Sequence, residues 1–275
     1  MPLNAEMDPL VRYLVPGSVA GLAAFAFSRV MIAPLVAAAA DYEGTREHAR
    51  AHLAGDGHGH EHGELFTRAV QGNAGAATGI IAFAIVMGAL FAVALTLLRT
   101  VLERRGFRPD PAALVLLLAA GMFVAVSLIP GLKYPANPPS VGLDDTVAER
   151  SSAFLTMTVL SVVAAGVAVG AGVAWARRWG AWRAGAVAVG GYLTVMLCAM
   201  ALLPSFHEVP GPLTDPEGAL VLGGFPAQVL ADFQVYSLVN QAVMWLVIYA
   251  TFAGIAARRR RAANVEAAVE LRPLN

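Results

Sequence analysis

Ten residues, GDGHGHEHGE at 55–64, gather three histidines, three acids and four glycines into a chain whose composition is otherwise 57% hydrophobic. Alternation at His58, His60 and His62 puts three imidazoles on one side of an extended strand. Gly57, Gly59 and Gly63 let the segment fold around a small ion, and Asp56, Glu61 and Glu64 supply oxygens. Neutral imidazole suits divalent cobalt, nickel, zinc and copper, and the preference order among these ions means that the tract does not choose cobalt over the others. His48 and His52 add a pair at i, i+4 if helix persists there. The string HEHGE lacks the spacing of HExxH, so two ligands and a base on one helix face, as in a zinc hydrolase, are not supported. A solvated low-complexity loop would also look like this.

Two further segments carry polar groups beside prolines. LIPGLKYPANPPSVGLDDTVAERS places Lys133, Tyr134, Pro135, Asn137, Pro138 and Pro139 after an apolar run, with Asp144, Asp145, Glu149 and Arg150 following. The prolines fix their own backbone angles and push Tyr134 and Asn137 out of helical conformation, which makes either a stiff mouth or a simple helix stop. LLPSFHEVPGP sets His207 and Glu208 between Pro204 and Pro210, where an imidazole and a carboxylate could meet an entering ion or merely finish a helix at the headgroups.

The elements that must position these groups are membrane spans. With 14% charged residues and a mean hydropathy of +0.63, the chain is too apolar for a soluble domain of 275 residues. Apolar runs long enough to cross about 30 Å of hydrocarbon, uncharged except for Arg29 in the first, lie near 14–37, 75–98, 112–130, 152–175, 184–203 and 234–256. Runs such as AALVLLLAAGMFVAV show no period of two, so the expected fold class is an all-α polytopic bundle of six transmembrane helices rather than a barrel. Residues 1–256 form a single membrane domain, 41–74 an external His-rich loop, and 257–275 a basic tail. The first run is read as a retained span, not a cleaved leader, despite LVAAAAD: it is too long for the apolar core of a signal peptide and contains Arg29. Arg29 is expected near the outer end, paired with Asp41 or Glu43.

Charge sorts the loops by side. The N-terminus, 99–110, the ARRWGAWR turn and the tail hold 13 basic residues and 6 acids, whereas 41–74, 131–151 and 204–233 hold 5 and 13. Cytoplasmic loops are enriched in Lys and Arg, so both termini are expected in the cytoplasm and all six histidines outside. Within the spans the polar inventory is Arg29, Gln234, Asn240, Gln241 and hydroxyls, and the absence of acids argues against proton-coupled antiport. Asn240, Gln241, backbone carbonyls and methionines such as Met157, Met196 and Met244 are what a crossing metal could meet. No histidine projects from a span, which excludes a haem cytochrome. A single cysteine, Cys198, excludes paired thiolate chemistry, and the lone lysine lies outside any Walker A loop. Zero net charge gives no footprint for nucleic acid. Glycines at i, i+4 on three spans, Gly17/Gly21, Gly75/Gly79 and Gly166/Gly170, would let backbones approach closely in lipid.

KYPANPPSVG with DDTVAERS, LLPSFHEVP, SLVNQAVMW and TRAVQGNAG together resemble the CbtA-type predicted cobalt transporter subunits across essentially the whole chain. The matching positions are Arg68, Gln71, Lys133, Tyr134, Pro135, Asn137, Pro138, Pro139, Thr146, Arg150, Glu208 and Gln241. The resemblance implies a multipass protein of the bacterial inner membrane, linked to cobalt supply for cobalamin and working beside a small single-span subunit with its own histidines. Two features depart from it: GPLTDPEGALVLGG intervenes before Phe225 and Pro226, and Gln234 stands where an arginine is common. The family is often described with five spans, against six counted here.

Together these features lead to the membrane subunit of a divalent-metal uptake system, cobalt being the expected cargo, with nickel or zinc as other candidates, and with the outer His/acid loop as collector. The chain is expected not to be an enzyme and to hold no resident cofactor. The alternative from another class is a non-conducting scaffold or metal-sensing partner of a transporter.

Overall fold

In the computed structural model the backbone is described for residues 9–54 and 65–270, and side chains for 14–54, 75–258 and 261. The helices are α1 (Pro9–Phe27), α2 (Ala33–Ala54), α3 (Leu65–Arg104), α4 (Pro111–Met122), α5 (Ile129–Lys133), α6 (Val147–Trp179), α7 (Ala181–Leu202) and α8 (Ala227–Glu270). A π-helical turn, Ser28–Ile32, joins α1 to α2, and a second, Phe123–Leu128, joins α4 to α5. Among the described residues six helical stretches are long and apolar enough to cross a membrane. The fold is the all-α, six-span bundle expected from hydropathy.

Helix ends are another matter, because hydropathy marks where a span leaves the lipid and not where hydrogen bonding stops. Residues 41–74 were expected as a loop, yet α2 runs on to Ala54 and α3 begins at Leu65. The sequence DYEGTREHARAHLA explains the first extension: alanines, arginines and glutamates are good helix formers without being apolar. Continuous helix also overturns the expected Arg29 pairing. Asp41 lies twelve residues further along, about 18 Å at 1.5 Å per residue, and Arg29 makes no ion pair among the described residues.

The chain forms two compact units. Residues 1–24, 78–123 and 242–275 make the first. There, α1 crosses α3 at backbone contact distance: a Cβ on Gly17 would lie 2.5 Å from the Ile85 Cα, one on Gly21 2.9 Å from the Ile81 Cα, and one on Gly88 2.8 Å from the Gly17 Cα. The partner surface of Gly17 and Gly21 is therefore 81–88, not Gly75/Gly79. At Gly75, Gly79, Gly166 and Gly170 an added Cβ meets nothing within 4 Å among the described residues, so those two pairs mark no crossing among them. Phe91 meets Phe252 at 4.9 Å between ring centroids. Asp110 caps α4, its carboxylate accepting from the Ala112 and Ala113 N–H groups, with Pro111 at a position whose N–H would be unpaired anyway.

Residues 25–77 and 124–241 make the second unit. Gly180, at φ +82°, is the only residue between α6 and α7 and takes a conformation that L side chains rarely adopt. Ser161 meets Tyr192, and Gly172 lies against Ala184 and Ala188, so the two helices run antiparallel. Met157, Met196, Ala199, Ile129 and the ring of Tyr192 fill their core. The segment GPLTDPEGALVLGG holds a β-hairpin, β1 (Leu213–Thr214) and β2 (Leu220–Leu222), in register Leu213 to Leu222 and Thr214 to Leu220. Its turn, DPEG, closes because Asp215 Oδ1 accepts from the Ala219 N–H at 2.7 Å and Gly218 adopts φ +86°.

The glycine crossing makes a direct contrast. Gly17→Ala pushes a methyl into the backbone of α3 and is expected to cost about 1–3 kcal/mol, whereas Gly79→Ala, in open space, leaves stability unchanged or slightly higher. Thermal unfolding of the two variants in detergent checks this. Equal losses would remove the crossing as a determinant of the fold.

Candidate functional site: a latched pair of loops

The second unit carries the two proline-bearing loops, and one carboxylate ties them together. Glu208 Oε2 accepts from the Leu143 N–H at 2.8 Å and from Thr146 Oγ1 at 2.8 Å, and it faces Arg150 Nε at 3.4 Å. Arg150 turns its Nη2 back to the Leu143 carbonyl at 2.9 Å, while the Glu208 carbonyl accepts from the Gly142 N–H at 3.1 Å. Both the backbone and the side chain of Glu208 are thus stitched to residues 142–150. The Leu143 N–H is the largest cause holding the Glu208 carboxyl below its ordinary range; the Thr146 hydroxyl and the Arg150 charge act in the same direction, and partial burial opposes them.

Local backbone geometry makes room for this. Gly142 sits at φ +112°, and a Cβ there would collide with the Arg150 guanidinium. Next to it but one, Ser140 is held at φ +61°, uncommon for a non-glycine residue, and its buried Oγ has no hydrogen-bond partner among the described residues. Asp144 and Asp145 lie in the 3-10 turn Asp144–Thr146 leading into α6, and Glu149 in its first turn, where negative charge suits the helix N-terminus.

A second set of bonds joins the ends of α5 and α7. Lys133 Nζ donates to Ser205 Oγ at 2.7 Å, Tyr134 Oη donates to the Pro204 carbonyl at 2.8 Å, and Tyr134 lies 6.1 Å from the Phe206 ring. Pro135, Asn137 and Pro139 are exposed, and Pro138 is buried. The extended end of α2 clamps the third loop from another direction. Arg46 Nη1 donates to the Gly211 carbonyl at 2.7 Å and to Tyr42 Oη at 3.0 Å; Tyr42 Oη donates to the Gly223 carbonyl at 3.2 Å and packs edge-on against Phe225. Ala39, Val141 and Phe225 form the small apolar core under these bonds.

The structure therefore brings Lys133, Tyr134, Thr146, Arg150 and Glu208, separated by up to 75 positions in the chain, into one hydrogen-bonded collar. Gln241 lies apart from it, its Oε1 accepting from Ser127 Oγ at 3.4 Å. His207 is exposed beside Glu208, and His48 and His52 are exposed one turn apart on α2. Asp56, His58, His60, Glu61, His62 and Glu64 lie outside the described residues, as do the side chains of Arg68 and Gln71. Among the described residues no three His, Cys, Asp or Glu side chains gather closely enough to hold a metal.

Sequence reasoning did not find Gly142, the Leu143 N–H, Ser205, Tyr42 or Arg46. Gly142 alone left a trace, a glycine two residues ahead of the acidic start of a helix.

A family model described as probable cobalt transporter subunit (CbtA) matches residues 7–257. No curated protein and no solved structure matches the chain.

The depressed Glu208 carboxyl fixes the sign of a pH effect. Because its folded value lies below the ordinary 4.5, the carboxylate's contribution is complete above that pH and is lost as pH falls through the folded value. The stability gap between wild type and Glu208→Gln is expected to be flat from about pH 8 to 5 and to shrink below about pH 4. Chemical unfolding across this range measures it, and a gap that is constant to pH 3 would contradict the latch. Gly142→Ala is expected to lose about 1–3 kcal/mol through its strained φ alone, and further through the displaced Arg150. Full stability in that variant would show that the guanidinium has another place to go.

Proposed function

The chain belongs to the CbtA family of cobalt transporter subunits, a transporter component rather than an enzyme, and we propose that it is the inner-membrane subunit of a bacterial divalent-cation uptake system with cobalt as cargo. The observation that carries this reading is the extent of the family match, which runs from residue 7 to residue 257 and takes in all six spans and both latched loops.

In the proposed arrangement both termini face the cytoplasm and the latched loops face outward. The charge distribution supports this, with 13 basic residues on one set of loops and 13 acids on the other. The His tract collects the ion through His58, His60 and His62 with Asp56, Glu61 and Glu64, and the acid-rich surface raises the local cation concentration. The helical extension of α2, pinned to the third loop through Arg46 and Tyr42, carries His48 and His52 and leads directly to that tract. His207, beside Glu208, stands at the mouth. Prolines and the Glu208 latch hold the mouth stiff, so an arriving ion meets a preformed surface.

A small single-span subunit with its own histidines is the proposed partner. The glycine pairs Gly75/Gly79 and Gly166/Gly170 support it, since their open faces would let a further helix approach closely. The tract itself does not select cobalt, because nickel, copper and zinc bind imidazole at least as tightly.

Uptake of labelled cobalt into cells with the gene deleted and then restored tests the reading. Restoration is expected to return uptake; uptake unchanged by deletion would refute it. Replacing His58, His60 and His62 together by Ala is expected to weaken uptake at low cobalt and spare it at high cobalt. Equal loss at every concentration would make the tract structural rather than a collector.

A further inference from the structure

Within the second unit, three features meet on one short stretch of α8. Tyr236 packs edge-on against Phe27, at 6.5 Å between ring centroids, and Phe27 immediately precedes the π-helical turn Ser28–Ile32. Five residues along α8, Gln241 accepts from Ser127, which lies in the other π-helical turn, Phe123–Leu128. Between these contacts sits Asn240, only 8% exposed, whose Oδ1 has no hydrogen-bond partner among the described residues. Two π-helical turns therefore flank about 7.5 Å of a single helix.

Each observation is costly if the only task is to cross lipid. A π-turn holds an extra residue, loosens the backbone carbonyl ladder, and recurs at functional positions. A buried acceptor without a donor is unfavourable anywhere and more so in hydrocarbon, where no water can relieve it. Leucine at position 240 would avoid that cost. An unpaired oxygen acceptor is complemented by a hydrogen-bond donor, by a cation, or by the water that travels with one, and in a transporter span the last two are the groups that come and go.

We propose that Asn240 Oδ1, with Gln241 and Ser127, forms an intramembrane way-station for a partly hydrated divalent cation. The proposal rests on the transport reading above and adds the place where the cargo pauses inside the bilayer. Asn240 and Gln241 are consecutive, so their side chains leave the helix about 100° apart; an ion that keeps part of its water shell bridges them. The Gln241 carbonyl oxygen has a second lone pair beside the one that takes the Ser127 hydroxyl. All three ligands are neutral. That suits passage, because conduction needs binding favourable enough to admit the ion and weak enough to release it, whereas carboxylates at this depth would hold it.

Two variants of the full chain, expressed in cells whose own copy is deleted and also purified for unfolding, test the site. Asn240→Leu is expected to cut the cobalt uptake rate about tenfold while its unfolding temperature stays level or rises, since the substitution removes an unpaired buried acceptor. Asn240→Asp is expected to lower both the half-saturating cobalt concentration and the maximal rate, because a fixed negative charge holds the ion longer. Wild-type uptake in Asn240→Leu, or uptake lost in step with stability, would overturn the way-station alone. Cobalt uptake that does not depend on the wild-type gene would overturn the transport reading, and this inference with it.

Discussion

One carboxylate oxygen organises the loop end of the second unit. Glu208 Oε2 collects a backbone N–H, a hydroxyl and the approach of a guanidinium, all from a segment that lies more than 55 residues earlier. Remove that oxygen and the loop after α7 keeps the Gly142 N–H to Glu208 carbonyl bond and the Val141–Phe225 packing, but loses its ties to Leu143, Thr146 and Arg150. Prolines cannot substitute for it: they stiffen each loop but offer no donors, so two rigid segments still need a bond between them. Gly142 enters the same account as a space requirement, since any side chain there would occupy the place of Arg150. The remaining contacts, Lys133 with Ser205, Tyr134 with the Pro204 carbonyl, and Arg46 with the Gly211 carbonyl, extend the collar that this oxygen closes.

A division of labour follows for a transporter subunit. Every carboxylate and imidazole lies outside the six apolar runs, and the polar groups within those runs are neutral apart from Arg29. In the proposed transport reading, charged ligands would attract and concentrate a divalent ion where water still screens it. Neutral oxygens at the proposed way-station would give an ion partial compensation for lost hydration without binding it so strongly that it stays.

The bundle itself was legible from hydropathy, since six apolar runs correspond to six spans. The ends of the helices were not. Beyond the lipid boundary α2 continues on alanine, arginine and glutamate, α3 begins ten or so residues before its apolar run, and α8 extends from Ala227 to Glu270. Apolarity and helix propensity diverge at those residues, and hydropathy reports only the first. Thr146, Arg150 and Glu208 each stood out by resemblance, but nothing in a single sequence says that residues 62 and 58 positions apart share one oxygen. Glycine spacing was equally ambiguous. Three i, i+4 pairs look alike in sequence, and among the described residues only Gly17/Gly21 presses against a neighbouring backbone, because contact depends on which face meets a partner. The two π-turns and the Asn240 oxygen, unpaired among the described residues, left no pattern at all; they emerge only when backbone and side-chain groups are followed to their partners.

The central claim is that the loops latched by Glu208 face the metal supply outside the cell. It is tested most directly by labelling intact cells with a membrane-impermeant thiol reagent, using a single cysteine in place of Glu217 at the exposed hairpin turn, in a chain whose one native cysteine, Cys198, is replaced by Ala. The account predicts full labelling without permeabilisation. Labelling that appears only after the membrane is opened would put the collar, the hairpin and the collecting segment on the cytoplasmic side and contradict it.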